Sequence, residues 1–237
     1  MNKGELAELA GLYIHVPFCK TKCPYCDFYS VTSPARIGEW VEAIGKEATL
    51  YREKFTAFDS LYLGGGTPSL LGDRELAELL DCLRRNFTFA PDTEITIEIN
   101  PDDVTAQKPA FLKRMGINRI SLGVQSFDEG ELLYLKRRHT ARQAVSALEL
   151  IRSTGFSNLG VDLMYGFDAG KVCSGTIRQR WIRTLEQALQ YRPEHLSCYQ
   201  MTLEETTPFG RMKAEGKIKP LGEKRESELF MLTSRFL

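Results

Sequence analysis

Three cysteines fall within eight residues, Cys19-Lys-Thr-Lys-Cys23-Pro-Tyr-Cys26, in the spacing C-x3-C-x2-C. Three thiolates this close can wrap one metal centre. A structural zinc site closes with four ligands, and the nearest histidine, His15, lies in a strand-like run outside the loop. A cubane iron–sulfur cluster is usually held by four cysteines. Three would leave one iron without a protein ligand, and that open position is a place for chemistry. Lys20 and Lys22 would offset the anionic charge of a thiolate-bound cluster. A zinc loop and a set of structural thiols are the alternatives at this level. The other cysteines are scattered: Cys82 and Cys198 lie among apolar residues and read as core, Cys173 as an incidental loop thiol.

A second feature is Gly64-Gly65-Gly66-Thr67-Pro68-Ser69. Three glycines let the backbone approach a ligand closely and adopt positive φ. Exposed N–H and C=O groups there could bind the polar end of an amino acid. No Gly-Lys-Ser/Thr follows, so this is not a phosphate-cradling Walker loop, and it lacks the dinucleotide fingerprint. Glu98, Gln125 and Asp162 each sit late in an apolar, β-branched run.

Those runs alternate with helical patterns about six times, from Leu12-Tyr-Ile-His-Val16 to the run beginning His195-Leu-Ser-Cys198. Such alternation implies βαβ units, right-handed crossovers and a parallel sheet, either doubly wound or an incomplete barrel. In both, the site lies at the carboxyl ends of the strands. The cysteines, GGGTP, Glu98-Ile-Asn100, Gln125 and Asp162 all fall there. From Thr206 the chain turns polar and punctuated with Gly and Pro, and reads as a linker; a short amphipathic piece, 229–236, ends it. Expected domains are a core over 1–205 and a linker over 206–237. Among 237 residues, 31 Lys and Arg balance 31 Asp and Glu, which argues against a broad nucleic-acid or anionic-membrane footprint. No run of eighteen apolar residues would span a bilayer. Glu5 and Glu8 stand where an export signal would be apolar, so a cytoplasmic location with reduced thiols is expected.

The cysteine spacing, with Tyr25 before the last cysteine, resembles the cluster loop of the radical S-adenosylmethionine (SAM) superfamily. YIHVPFC (13–19) together with GGGTP is narrower, and resembles the oxygen-independent coproporphyrinogen III oxidase-like group, which includes a haem-chaperone branch. The likeness runs on through EINP at Glu98, GVQSFD at Gln125, LKRRHT at Arg137, DLMYG at Asp162 and LSCYQMTLEETTPF, to about Phe209. The resemblance implies a partial (β/α)6 TIM-like barrel. It implies a 4Fe–4S cluster on Cys19, Cys23 and Cys26, whose open iron chelates S-adenosylmethionine, and reductive cleavage of that cofactor to a 5′-deoxyadenosyl radical. By position, Tyr13 matches a strand tyrosine beside the cofactor, and Gly65, Gly66 and Thr67 match its amino-group site. Glu98 matches a contact to the cofactor's amino acid part or to a second cofactor. Gln125 and Asp162 match contacts to the ribose region, and Arg137 an arginine near the carboxylate. Tyr25, Phe28 and Tyr29 would shield the cluster or stack near adenine.

Three departures matter. Decarboxylating members of the group carry a further cysteine two residues after the third; here Phe28 stands there, as in the haem-chaperone branch. The resemblance therefore implies haem binding and delivery to an acceptor protein, with an electron donor as a second partner. A porphyrinogen oxidoreductase and a copy with little activity are the alternatives. After Gly166 the family's Leu-Pro-Gly-Gln-Thr is replaced by a longer stretch, Phe167 to Thr176. The family continues into a smaller C-terminal domain, with a His-Asn-x-x-Tyr-Trp motif in the chaperone branch. Neither occurs here, and the chain reads as C-terminally truncated. His15 as a haem neighbour, and Lys136 to His139 as a basic cluster for propionates, are further expectations beside the plainer ones of a packed strand histidine and a solvated helix end.

Overall fold

The computed structural model describes residues 10–55 and 57–237. The N-terminal stretch read above for an export signal lies mostly outside them. Six strands form one sheet: β1 (Ala10–Val16), β2 (Ala57–Gly65), β3 (Thr88–Ile99), β4 (Arg119–Gln125), β5 (Asn158–Tyr165) and β6 (His195–Gln200). All pair in parallel, and spatial order equals chain order. A doubly wound sheet reverses its order at a switch point. This sheet never reverses, so every right-handed crossover places its helix on the same side. The result is the partial six-stranded barrel that the sequence led one to expect.

The helices are α1 (Ile37–Tyr51), α2 (Asp73–Asn86), α3 (Lys108–Arg114), α4 (Glu129–Tyr134), α5 (Ala141–Ser153), α6 (Ile177–Gln190), α7 (Pro208–Ala214) and α8 (Glu223–Phe236). Strand alternation divides the two faces. Leu61, Leu63, Ile97, Ile99, Ile120, Leu122, Val161 and Leu163 point outward into the helical layer and are buried. They meet Leu76, Leu79, Leu80 and Leu83 of α2, Ala144, Leu148 and Ile151 of α5, and Trp181 and Leu185 of α6. At about 1.5–3 kcal/mol for each buried leucine, the α2 stripe alone holds that helix against the sheet. The intervening positions, Tyr62, Thr96, Glu98, Ser121 and Asp162, face inward; Tyr62 bonds to Glu98, Glu98 to the Gly65 turn, Ser121 to Asp162, and Thr96 accepts from Arg119 of β4. Helix starts follow local chemistry. Thr140 and Gln143 form a capping box on α5, Thr176 and Gln179 another on α6, and Asp128 caps α4.

The polar segment after Thr206 departs from the expected linker. Thr207 caps α7 with Pro208 in its first turn, and α8 follows. Leu221 and Leu229 join the main core, and the Trp181 indole N–H donates to Thr233 Oγ1 at 2.8 Å. Glycine and proline punctuation marked breaks between short helices here. The stretch after Gly166 is also tied down. Phe167 and Ala169 are buried with Leu135, Met201 and Phe209, and the Phe167 ring stacks on Tyr134 at 5.5 Å.

Candidate functional site

The cysteine loop leaves β1 and is pinned at its neck. Phe18 bridges to Val31, the Cys19 N–H donates to Val31 O at 3.0 Å, and the Val31 N–H donates to Pro17 O at 2.7 Å. The Cys26 N–H turns back onto Cys23 O at 3.1 Å. Its far side is held by the chain's last third, where the Phe209 N–H donates to Pro24 O at 2.9 Å and the Thr206 hydroxyl donates to Asp27. Lys20 pairs with buried Asp103 at 2.6 Å, tying the loop to the exit of β3.

The loop forms one wall of a cavity of about 520 Å³ at the carboxyl ends of the strands. Twelve of the thirteen residues singled out from sequence line it: Cys19, Cys23, Cys26, Tyr25, Phe28, Gly65, Gly66, Thr67, Glu98, Gln125, Arg137 and Asp162. Tyr13 stands outside that wall. Its hydroxyl donates to His15 Nδ1 at 3.1 Å, and its ring stacks on Tyr62 at 6.1 Å. His15 Nε2–H donates in turn to Tyr29 O at 2.9 Å. His15 is thus a packed strand histidine with both ring nitrogens engaged. The basic cluster is largely satisfied within the fold: Arg138 pairs with Asp102 at 3.0 Å and His139 donates to Val124 O at 3.0 Å.

The glycine turn is shaped by its protein neighbours. Gly65 has φ +110, and a Cβ there would lie 2.6 Å from the His15 ring. A Cβ on Gly66 would lie 2.8–2.9 Å from backbone atoms of Val16 and Phe18, next to the first cysteine. Only glycine lets the β2 exit lie this close to the cysteine loop. Glu98 fixes the turn, accepting from the Gly65 N–H at 3.1 Å and from Tyr62 OH at 2.9 Å. Burial raises the Glu98 carboxyl above its usual range, with Asp162 adding to the shift against the Tyr62 hydrogen bond. Asp162 is raised by burial too, although Ser197 and Ser121 donate to it. Two carboxyls held above their ordinary range around one cavity favour an ammonium, a sulfonium or hydroxyl donors there.

Arg137 is placed by the end of α4. Lys136 takes a left-handed conformation (φ 51), its N–H returns to Leu133 O, and the Arg137 N–H returns to Leu132 O. This Schellman turn aims the guanidinium inward. It donates to Gly123 O at 2.9 Å, Asn100 Oδ1 at 2.5 Å, Tyr25 OH at 3.3 Å and Cys23 Sγ at 3.5 Å. Its buried Nε has no partner among the described residues. Gln125 ends β4 with φ 68, and its buried Oε1 is also unpartnered among the described residues. Asn100, which the sequence placed among the polar strand-end residues without a role, lines the cavity between Arg137 and Thr67. Its place follows from the register of β3, which a motif does not carry.

Among the described residues, no three Cys, His, Asp or Glu side chains converge as they would on one metal ion.

A family model of the Radical SAM superfamily matches residues 13–169. The heme chaperone HemW of Mycobacterium tuberculosis (strain H37Rv) is 36% identical over 215 residues, which are 88% of this chain and 53% of that protein. HemW of Escherichia coli K12 is 37% identical over 204 residues, 84% of this chain and 52% of that protein. The chain thus spans about half the length of these curated relatives. The solved coproporphyrinogen III oxidase HemN of Escherichia coli, a radical SAM enzyme, superposes with a TM-score of 0.81 at 27% identity, covering 96% of this chain and 52% of that one. The radical SAM methyltransferase TsrM of Kitasatospora setae, at 14% identity and a TM-score of 0.63 over 88% of this chain and 37% of that one, shares the fold.

The superfamily implies a 4Fe–4S cluster and S-adenosylmethionine, and the residues fit both. Three free thiols share one wall, while a free guanidinium N–H, a free amide oxygen and two carboxyls line the same cavity. The chain belongs to the radical SAM superfamily, in the coproporphyrinogen III oxidase-like group to which HemN and the HemW chaperones are its relatives.

Proposed function

We propose that this chain is the cluster-and-cofactor core of a radical SAM haem chaperone, one that binds haem and passes it to an acceptor protein. The observation that carries this reading is Phe28. It occupies the position of the extra cysteine of decarboxylating members, and the residue is 68% exposed while lining the cavity. An apolar ring there offers a planar macrocycle a surface and offers no thiol. The HemW relatives support the same assignment.

In this reading Cys19, Cys23 and Cys26 would hold the cluster. When bound, the cluster supplies one electron for reductive cleavage of S-adenosylmethionine. The chain's own groups bind and orient that cofactor. Gly65, Gly66 and Thr67 would receive its amino group, with Glu98 as the counter-charge. Arg137 Nε would meet its carboxylate. Gln125 and Asp162 would accept from the ribose hydroxyls. Tyr25 would shield the cluster edge, and Tyr13, behind Tyr62, would support Glu98 from the second row. An electron donor and a haem acceptor are the partners this role requires.

The test is anaerobic reconstitution with iron and sulfide. Iron is counted and EPR spectra are recorded with and without S-adenosylmethionine, with Cys19→Ala/Cys23→Ala/Cys26→Ala as control. Haem titration and product analysis with coproporphyrinogen III follow. Four irons per chain, lost in the control, an EPR change on cofactor addition, and stoichiometric haem binding without porphyrinogen turnover are expected. Porphyrinogen decarboxylation would replace the chaperone reading with the oxidoreductase one. A chain that takes up no cluster would overturn both.

A further inference from the structure

Asn100 follows the last residue of β3, and its backbone is fixed on three sides. Its N–H donates to Ser69 Oγ at 3.3 Å and its carbonyl accepts from the Asp103 N–H at 3.0 Å. Pro101 keeps it extended, at φ −86 and ψ 141. The side chain therefore has one place to go, between Arg137 and Thr67.

The direction of each hydrogen bond follows from chemistry. A guanidinium can only donate, so Asn100 must turn its oxygen to Arg137 and its NH2 to Thr67. The first contact is 2.5 Å and the second, to Thr67 Oγ1, is 3.4 Å. The Thr67 oxygen accepts from Asn100, so its own proton is free to donate to Cys19 Sγ, which lies 3.4 Å away. On the other arm, Arg137 reaches Cys23 Sγ at 3.5 Å. Thr67 is 5% exposed, so water does not compete on that arm. One amide thus fixes the direction of the Thr67 hydroxyl and anchors the Arg137 guanidinium, and each of these two donors ends on a cysteine sulfur. Cys26 lies outside both.

We propose that Asn100 is a positioning residue that orients Thr67 and Arg137 as hydrogen-bond donors to the Cys19 and Cys23 sulfurs, and so raises the reduction potential of the cluster those sulfurs hold. The inference rests on the cysteines carrying the cluster. Hydrogen bonds to the sulfurs stabilise the reduced, more negative state, and they are among the terms that set cluster potentials. The amide acts through the two donors and touches neither sulfur itself.

The experiment is an EPR-monitored redox titration of the reconstituted protein, with iron counted in every sample. Asn100→Ala is expected to keep four irons and to shift the midpoint to more negative potential. Thr67→Val removes the Cys19 arm alone and should give a smaller shift of the same sign. In the double variant the two shifts should be less than additive, because Asn100→Ala has already freed the Thr67 hydroxyl to turn elsewhere. Asn100→Asp keeps an acceptor for Arg137 but draws the Thr67 proton to itself and adds negative charge, so it should lie at least as negative as Asn100→Ala. An unchanged midpoint in Asn100→Ala with four irons, or strict additivity in the double variant, overturns the inference. If Asn100→Ala does not fold, Thr67→Val decides: a midpoint equal to wild type overturns it. Failure of the wild-type chain to take up iron strikes at the cluster assignment instead.

Discussion

Arg180 and Glu131 are both almost fully buried, and the guanidinium Nε donates to Glu131 Oε1 at 2.8 Å. The pair joins α6 to α4, the helix whose end presents Arg137. Arg180→Met removes the charge from one side only. Glu131 keeps the Ser126 hydroxyl at 2.7 Å, and Gly175 O loses its donor. Breaking a buried pair on one side costs about 3–5 kcal/mol, because the remaining charge stays desolvated. The 3.5 Å approach of Arg180 to half-exposed Asp168 adds little to this. A chain of this size loses about 2–4 °C of melting temperature per kcal/mol, so the drop should be about 6–20 °C. Adding Glu131→Gln removes the stranded charge while its amide oxygen still accepts from Ser126. The double variant should recover most of the loss. The assay is thermal unfolding followed by far-UV circular dichroism at low protein concentration. A single variant melting within about 2 °C of wild type, or a double variant no more stable than the single, would refute the reasoning.

Other outcomes follow from the same contacts. His139 is 3% exposed, and burial, with Arg137 nearby, lowers its pKa to about 3. The unfolded imidazole takes a proton near pH 6.5. Its contribution is therefore complete above that pH and is lost as pH falls through the window from about 6.5 to about 3. Between pH 7.5 and 5 this costs about 2 kcal/mol; the melting-temperature difference between those pH values should shrink by that share in His139→Gln. The raised carboxyls of Glu98 and Asp162 act with the opposite sign and are common to both proteins. Gly65→Ala combines a left-handed φ with a clash on His15; a loss of about 1–3 kcal/mol and poorer cluster retention are expected, checked by denaturant midpoint and iron counting. Trp181→Phe leaves buried Thr233 without its indole donor. A loss of about 1 kcal/mol and faster proteolysis within 215–222 should result, whereas an unchanged cleavage rate would show that this bond does not hold α8.

Much of the architecture was legible because parallel strands write a plain pattern. EITIEI in β3 alternates side by side, with Ile97 and Ile99 going to the helices while Thr96 and Glu98 face the concavity. The cysteine spacing and GGGTP marked the two loops that meet at Gly66. The roles of Asn100 and Tyr62 were not legible. They depend on which residues face each other across four strands and a helix end, and no local window holds that register. Tyr13 was drawn toward the cavity by its motif, while the structure turns it to His15 and Tyr62. Past Thr206 the composition spoke for a linker, because α7 and α8 carry many charges on their outer faces. Only the amphipathic piece at 229–236 showed, and it is the second half of α8, where Leu229, Leu232 and Phe236 pack on the core.

The clamp on the cysteine loop has a consequence in time. Asp27 and the Thr206 hydroxyl that holds it are 179 residues apart in the chain. At about 5–20 residues per second, a ribosome needs roughly ten to forty seconds to travel between them. Throughout that interval the three thiols are already made, yet the segment that closes over their loop does not exist. Until Thr206 and Phe209 are made, the loop lacks the two contacts that hold its far side in the completed chain.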